Sequence, residues 1–180
     1  MITLRETKGS PLTHQELDNN FQSILGIHNL LYVEDRKLPT THGGSFISGA
    51  WRTRQLNNIV INNILNSELN NNQITLPIGK YWIEASLPAR GVNAHKSRLR
   101  QISPTNLTLL NGTTESVTGG QAVSSNSLIS GLIELQQISI IELQHYCNST
   151  ANDWGFGAGF VAETSEVNIF SRIKIWKLGV

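Results

Sequence analysis

The apolar positions of this chain follow two periods. Within residues 10–31 (SPLTHQELDNNFQSILGIHNLL) the seam positions are Leu17, Phe21, Ile24, His28 and Leu31, in steps of four, three, four and three. That is the spacing of an amphipathic helix whose stripe packs on a partner. Thr13 is placed as its N-cap, and Glu16, three residues on, completes a capping box. Leu25 and Leu30 widen the stripe, whereas Gly26 weakens the helix by up to ~1 kcal/mol. So short a helix with an internal glycine is marginal in isolation. The stripe is therefore expected to pack on copies of itself, on another protein or on the rest of the chain. His28, at a seam position, would be a polar register marker, a rim residue or a pH-sensitive joint.

From Phe46 onward the period is two. Phe46–Ile61, Gln73–Leu76, Lys80–Pro88, Ala94–Ile102, Leu107–Val117, Ser127–Leu135, Ile138–Cys147, Trp154–Ala162 and Val167–Leu178 read as strands, separated by Asn, Gly and Ser. Tyr81, Ile83, Ala85 and Leu87 share one face of their strand, and Lys96, Arg98 and Arg100 share one face of theirs. The short Gln136-Gln137 link predicts a hairpin between Ser127–Leu135 and Ile138–Cys147. Many short strands with regular turns and no intervening helix predict a mostly β chain: a C-terminal antiparallel sandwich of jelly-roll type. The short N-terminal helix would form a bundle with its own copies or a docking segment. The expected division is an attachment or oligomerisation segment over 1–31, a linker over 32–45 (YVEDRKLPTTHGGS) and the sandwich over 46–180.

Two segments suggest that the interior is completed by neighbours. Gly155, Gly157 and Gly159 would line one face of a strand, with Phe156, Ala158 and Phe160 on the other. A glycine face lets a backbone or ring approach closely. The last strand carries Val167, Ile169, Ile173 and Ile175 on one face, while Phe170 and Trp176 punctuate the other. Gly155, Gly157, Gly159, Phe170 and Trp176 are thus the candidates for a face that a neighbouring copy covers.

Composition narrows the partners. The formal net charge is +1 and 15% of residues are charged, too little cationic excess for nucleic acid to be expected. Eighteen asparagines supply much of the polar surface instead. The single cysteine, Cys147, forbids an internal disulfide framework. No apolar run approaches the ~20 residues of a membrane helix, and no basic stretch followed by an apolar one opens the chain, so synthesis in a cytoplasm is expected.

No cofactor, metal or catalytic residue is expected. The glycines at 155, 157 and 159 lack the spacing and following helix of a dinucleotide site. His14, His28, His42, His95 and His145 are scattered, without metal-ligand spacing. His145 and Cys147 share a strand face with Leu143, but alternate residues on a strand point parallel and seldom make a nucleophile–base contact. Lys96, Arg98 and Arg100 form a basic stripe, either a solvated face or a site for an acidic partner. Among Trp51, Tyr81, Trp82 and Trp154, Trp82 is the best candidate for an exposed ring, because Glu84 and Ser86 beside it are polar. Trp82, Lys96, Arg98 and Arg100 therefore make up the candidate ligand surface.

The opening TKGSPLTHQELDNNF resembles the N-terminus of many tail-fibre and appendage proteins of tailed bacteriophages, through Lys8 to Thr13, Glu16, Asp18, Asn20 and Phe21. The stretches GAWRTRQLN (49–57), ITLPIGKYWIEASLPA (74–89), HKSRLR (95–100), ELQHYC (142–147) and EVNIFSRIKIWK (166–177) resemble the C-terminal module of phage fibres, itself similar to the trimeric jelly roll of the complement and tumour-necrosis-factor type. The resemblance implies a structural virion protein, made in the host bacterial cytoplasm. It would be a homotrimeric fibre or knob, with its helices in a trimeric bundle and Gly155, Gly157, Gly159, Phe170 and Trp176 at the trimer axis, attached to capsid or tail by its N-terminus and displaying its β-domain to a host-surface glycan or protein. The long shaft of repeats is missing, which leaves room for a capsid decoration or cement protein. A cellular lectin or an enzyme is the third class.

Overall fold

A computed structural model describes residues 3–24, 29–117, 123–162 and 164–179. The N-terminal part holds two helices, α1 (Arg5–Lys8) and α2 (His14–Ile24). The capping box forms as the sequence predicts. The Thr13 N–H donates to Glu16 Oε2 at 2.7 Å, and the Glu16 N–H donates to Thr13 Oγ1 at 3.2 Å. The Lys8 ammonium binds the same carboxylate. Asn20 closes the unit, its side-chain amide exchanging two hydrogen bonds with the Thr3 backbone (2.8 and 2.9 Å).

The sandwich has two antiparallel sheets. One is ordered β3 (Asn58–Asn62), β1 (Leu30–Lys37), β11 (Asn168–Leu178), β6 (Gly79–Arg90), β9 (Ser124–Leu135). The other is ordered β4 (Glu68–Asn70), β5 (Gln73–Leu76), β10 (Ser139–Cys147), β7 (Ala94–Ser103), β8 (Leu107–Ser116), with β2 (Arg52–Thr53) also pairing with β10. β7 and β8 form a hairpin within one sheet, and from β8 to β11 the chain crosses from sheet to sheet at each connection, a winding of jelly-roll type. The period of two sets the layers. Tyr81, Ile83, Ala85 and Leu87 face inward from β6, as expected, and join Leu31, Val33, Leu99, Ile141, Leu143, Ile173 and Ile175 in the main core. A smaller core of Phe46, Ala89, Val92, Cys147 and Ala151, with Phe156 against it, plugs one end.

Several expectations are corrected. Leu31 is no helix seam residue; it lies in β1, opposite Ile175, and is fully buried in the sandwich. The alternation that begins at Leu31 and Val33 lets the segment hydrogen-bond to β11 on one side and β3 on the other, so residues 32–37 of the expected linker 32–45 belong to an interior strand. His28 lies outside the described residues. Ile24 is the last described residue of α2, while Leu17 and Phe21 are exposed. Phe46–Ile61 is not one strand but an isolated bridge at Phe46 followed by β2 and β3. The predicted hairpin also fails: β9 pairs with β6 and β10 with β7, so the two-residue link crosses between sheets. Residues 154–156 lie in a turn and 157–162 are irregular, so the expected strand does not form. In β11, Phe170 and Ser171 together oppose Asp35, a bulge that reverses the side-chain phase. Ile169 is therefore exposed and Phe170 buried.

The register fixes two poles. Leu30 pairs with Trp176 and Lys37 with Asn168. The chain therefore enters β1 at the pole shared with the end of β11, while the segments 38–51 and 148–162 gather at the opposite, distal pole.

Candidate functional site

The outer face of the five-stranded sheet carries three cross-strand rows. Leu30, Trp176, Trp82 and Leu132 lie side by side on β1, β11, β6 and β9. Trp82 and Leu132 are 39% and 55% exposed, so this apolar belt faces outward. The next row is Ile61, Tyr32, Lys174, Glu84 and Ser130. The third is Asn58, Glu34, Arg172, Ser86 and Leu128. An open depression of about 350 Å³ is lined by Glu84, Ser86, Leu128, Ser130, Arg172 and Lys174. The rows are tied locally. Trp82 Nε1 donates to Glu84 at 3.2 Å, the Lys174 ammonium lies 5.4 Å from the Tyr32 ring centre, and Glu34 accepts from Tyr32, Arg36 and Asn58.

The expected basic stripe is on the other sheet, so the structure does not bring it together with Trp82. Lys96, Arg98 and Arg100 do share one face of β7, but their charges are already engaged. The Arg98 guanidinium stacks 4.0 Å from the centre of the Trp51 ring and donates to Gln144 at 2.7 Å. Lys96 lies 5.9 Å from the same ring. Arg100 donates to the Asn106 side chain at 2.7 Å, the Asn106 carbonyl at 2.9 Å and Thr108 at 3.0 Å. Glu142, buried under this ladder, accepts from Thr53, Gln73 and Gln144. The stripe is a stitched sheet surface.

The proposed trimer-axis glycines serve their own chain. A Cβ on Gly155 would sit 2.6 Å from the Phe46 Cβ, and one on Gly159 2.8 Å from the Asn168 amide nitrogen. Gly157 has φ +129°, and a Cβ there would lie 2.6 Å from Phe170 Cδ1. The glycines let the distal loop lie flat on Phe46, Phe170 and Thr41, so the axis assignment of Gly155, Gly157, Gly159 and Phe170 is corrected. Trp176 remains on the outer face of the sheet.

Beneath that loop lies a polar cluster that the sequence did not reveal. Arg54, just after β2, is 1% exposed. It donates to the carbonyls of Pro88 (2.7 Å) and Phe156 (3.0 Å) and to His145 Nδ1 (3.1 Å), with its guanidinium 4.2 Å from the Phe156 ring centre. His145 Nε2 meets His95 Nδ1 at 2.8 Å, and His95 Nε2 meets Ser125 Oγ at 2.8 Å. Burial lowers His145 well below the ordinary histidine range, aided by the charge of Arg54; burial also brings His95 down to about 4, against the pull of Glu115. Burial brings Arg54 itself to about 9, with Asp35 opposing. Cys147 is also buried and burial pushes its thiol up to about 11, the opposite of an activated nucleophile. Among the described residues no group of three or more His, Cys, Asp or Glu is placed to hold a metal ion. The only signal for Arg54 was its phase: it lies two residues before Leu56, which is also buried.

No protein-family model matches the chain, and no curated protein matches it. Solved structures do. Murine APRIL at pH 5.0 superposes with a TM-score of 0.56 at 13% identity, over 83% of this chain and 98% of that one. The globular domain of zebrafish complement 1qA protein gives a TM-score of 0.54 at 8% identity, over 84% and 98%. At these identities the likeness speaks for the fold alone: the chain is an antiparallel jelly roll of the type seen in tumour-necrosis-factor ligands and complement globular domains.

Proposed function

We propose that this protein is a non-catalytic structural component of a tailed-phage particle, a homotrimeric fibre or knob. It attaches by the N-terminal segment that precedes β1 and presents its distal loops to the host surface. One observation carries the reading: the apolar belt Leu30–Trp176–Trp82–Leu132 lies on an outward sheet face. In a trimer that belt is buried against neighbouring copies, and burial at about 25 cal/mol per Å² drives assembly. The two poles support the same reading. The capped helical unit enters at one end, and the loops bearing Trp154 and Phe160, 44% and 69% exposed, occupy the other. The resemblance of residues 8–21 to phage appendage proteins supplies the particle.

Native mass spectrometry of the purified full chain tests the assembly. A trimer at micromolar concentration is the expected result, and a monomer overturns it. A cement role without receptor binding is the second reading, favoured by the missing shaft of repeats. Particles lacking the protein separate the two. Lost adsorption with intact heads supports display, whereas leaking heads with normal adsorption support cement.

A further inference from the structure

The strongest unassigned feature of the molecule is the buried line Arg54, His145, His95, Ser125. Its hydrogen bonds have a forced direction. Arginine only donates, so His145 Nδ1 accepts and carries no proton. Neutral His145 then holds its proton on Nε2 and donates to His95 Nδ1. His95 in turn holds its proton on Nε2 and donates to the Ser125 hydroxyl. With both rings neutral, this is the one arrangement that satisfies all three links.

No arrangement with an added proton keeps all three. A proton on His145 Nδ1 faces the Arg54 donors. A proton on His95 Nδ1 faces the His145 N–H; turning that N–H away moves the His145 proton onto Nδ1, again against Arg54. Either way a link breaks, and a second positive charge appears beside a buried guanidinium.

Arg54 is also what seats the distal loop, through the Phe156 carbonyl and ring. Phe156 stacks on Phe46 with centroids 4.4 Å apart, and Phe46 lies 4.8 Å from the His145 ring. The loop is also held by backbone bonds from Gly43 to Gly157, from Gly44 to Asp153, from Phe156 to Gly44 and from Arg90 to Gly155, and by the two-bond bridge between Phe46 and Ala151. We infer that the Arg54–His145–His95 line is an acid-sensitive latch: protonation of the histidine pair releases residues 151–160 from the distal pole while the two sheets stay folded. The ligand of this switch is the proton itself.

The charged and titratable groups around it are consistent with this sign. Arg54 repels a protonated pair. Glu115 on β8, paired with His95 across the sheet, attracts it. Arg90 of β6 is next to Ala89, the cross-strand partner of Ser125. Asp35 of β1 acts on Arg54, and Cys147 is neutral. On the loop side stand Asp153 and His42; His42 Nδ1 accepts the Gly159 N–H at 3.0 Å and so offers a competing acid-labile contact.

Hydrogen exchange of the full chain between pH 7.5 and 4.5, corrected for intrinsic rates, tests the latch. At pH 4.5 the Phe156 and Gly157 amides should lose at least tenfold in protection while β6 and β9 amides keep theirs. The His95→Gln variant should lack this transition and His42→Gln should retain it. Unchanged loop protection in the wild type overturns the latch. So does simultaneous opening of the sheets, or a transition that vanishes in His42→Gln yet persists in His95→Gln. Should His95→Gln fail to fold, nitrogen NMR of the wild-type imidazoles at pH 7.5 decides. Nε2–H tautomers on both His95 and His145 are expected, and a proton on His145 Nδ1 refutes the line.

Discussion

Trp82 of β6 and Trp176 of β11 are cross-strand partners on the outer face of the five-stranded sheet. In the sequence they suggested different roles, one as a ligand platform and the other as part of an axis. The register places them in a single belt with Leu30 and Leu132. A charge in that belt separates assembly from folding. Leu132→Asp replaces a side chain already 55% exposed, so the monomer should lose no more than about 0.5 kcal/mol. The proposed trimer should dissociate, read as a threefold drop in mass by light scattering with an unchanged far-ultraviolet spectrum.

The distal loop depends on a backbone that only glycine adopts readily. Gly157→Leu adds a strained φ, about 1–3 kcal/mol, to a collision with Phe170. We expect a urea midpoint reduced by the equivalent of at least 2 kcal/mol in total. The loss should be as large in a monomeric Leu132→Asp background, because the contact lies within one chain.

Arg54 donates to the part-buried carbonyls of Pro88 and Phe156. Arg54→Met should cost about 3 kcal/mol, since each orphaned acceptor carries a penalty of about 1–3 kcal/mol. Arg54→Lys should recover little, as an ammonium lacks the planar fork that reaches Pro88, Phe156 and His145 together. Thermal unfolding of the two variants side by side checks this.

The histidine pair also sets a pH dependence of global stability. His95 and His145 have folded values below the ordinary 6.5, so the unfolded chain binds protons that the folded chain excludes. Stability therefore rises with pH through this window. It should be flat above about pH 6.5 and fall steadily towards pH 4, by at most about 1.4 kcal/mol per unit of separation at each ring. Asp35, raised by burial, works the other way at the acid end and softens the slope. Urea midpoints at pH 7.5, 6.0 and 5.0 read the trend, which His95→Gln should flatten.

Cys147 should be inert. Its thiol is fully buried and pushed up to about 11 by burial, so a disulfide reagent at pH 8 should modify the native chain only at the rate of unfolding. Labelling within seconds would show that the end core opens freely.

The sequence by itself determined the strands and their faces. Gln73–Leu76 matches β5 residue for residue, and β6, β7, β8, β9, β10 and β11 lie within three residues of expectation at each end. The inward phase of Tyr81, Ile83, Ala85 and Leu87, the outward phase of Lys96, Arg98 and Arg100, and the Thr13–Glu16 capping box were legible for the same reason. Each depends on neighbours a few residues away, and a period of two or a cap needs nothing more distant. Partnership was decided only in three dimensions. The Gln136-Gln137 link looks like a hairpin, yet the winding sends its two strands to opposite sheets. Leu31 has helical spacing from His28, but it gains more by filling the core opposite Ile175. The glycines of 155–159 make room for Phe46 and Phe170 of their own chain, residues distant from Gly155 in one case and separated by a bulge in the other. The phase of Arg54 beside Leu56 hints at its burial, but its partners Pro88, His145 and Phe156 lie 34, 91 and 102 residues away and those of His95 lie 50 and 30 residues away, so nothing local shows what makes an interior place for them. Periodicity is written along the chain, whereas the pairing of buried polar groups exists only once the chain has closed on itself.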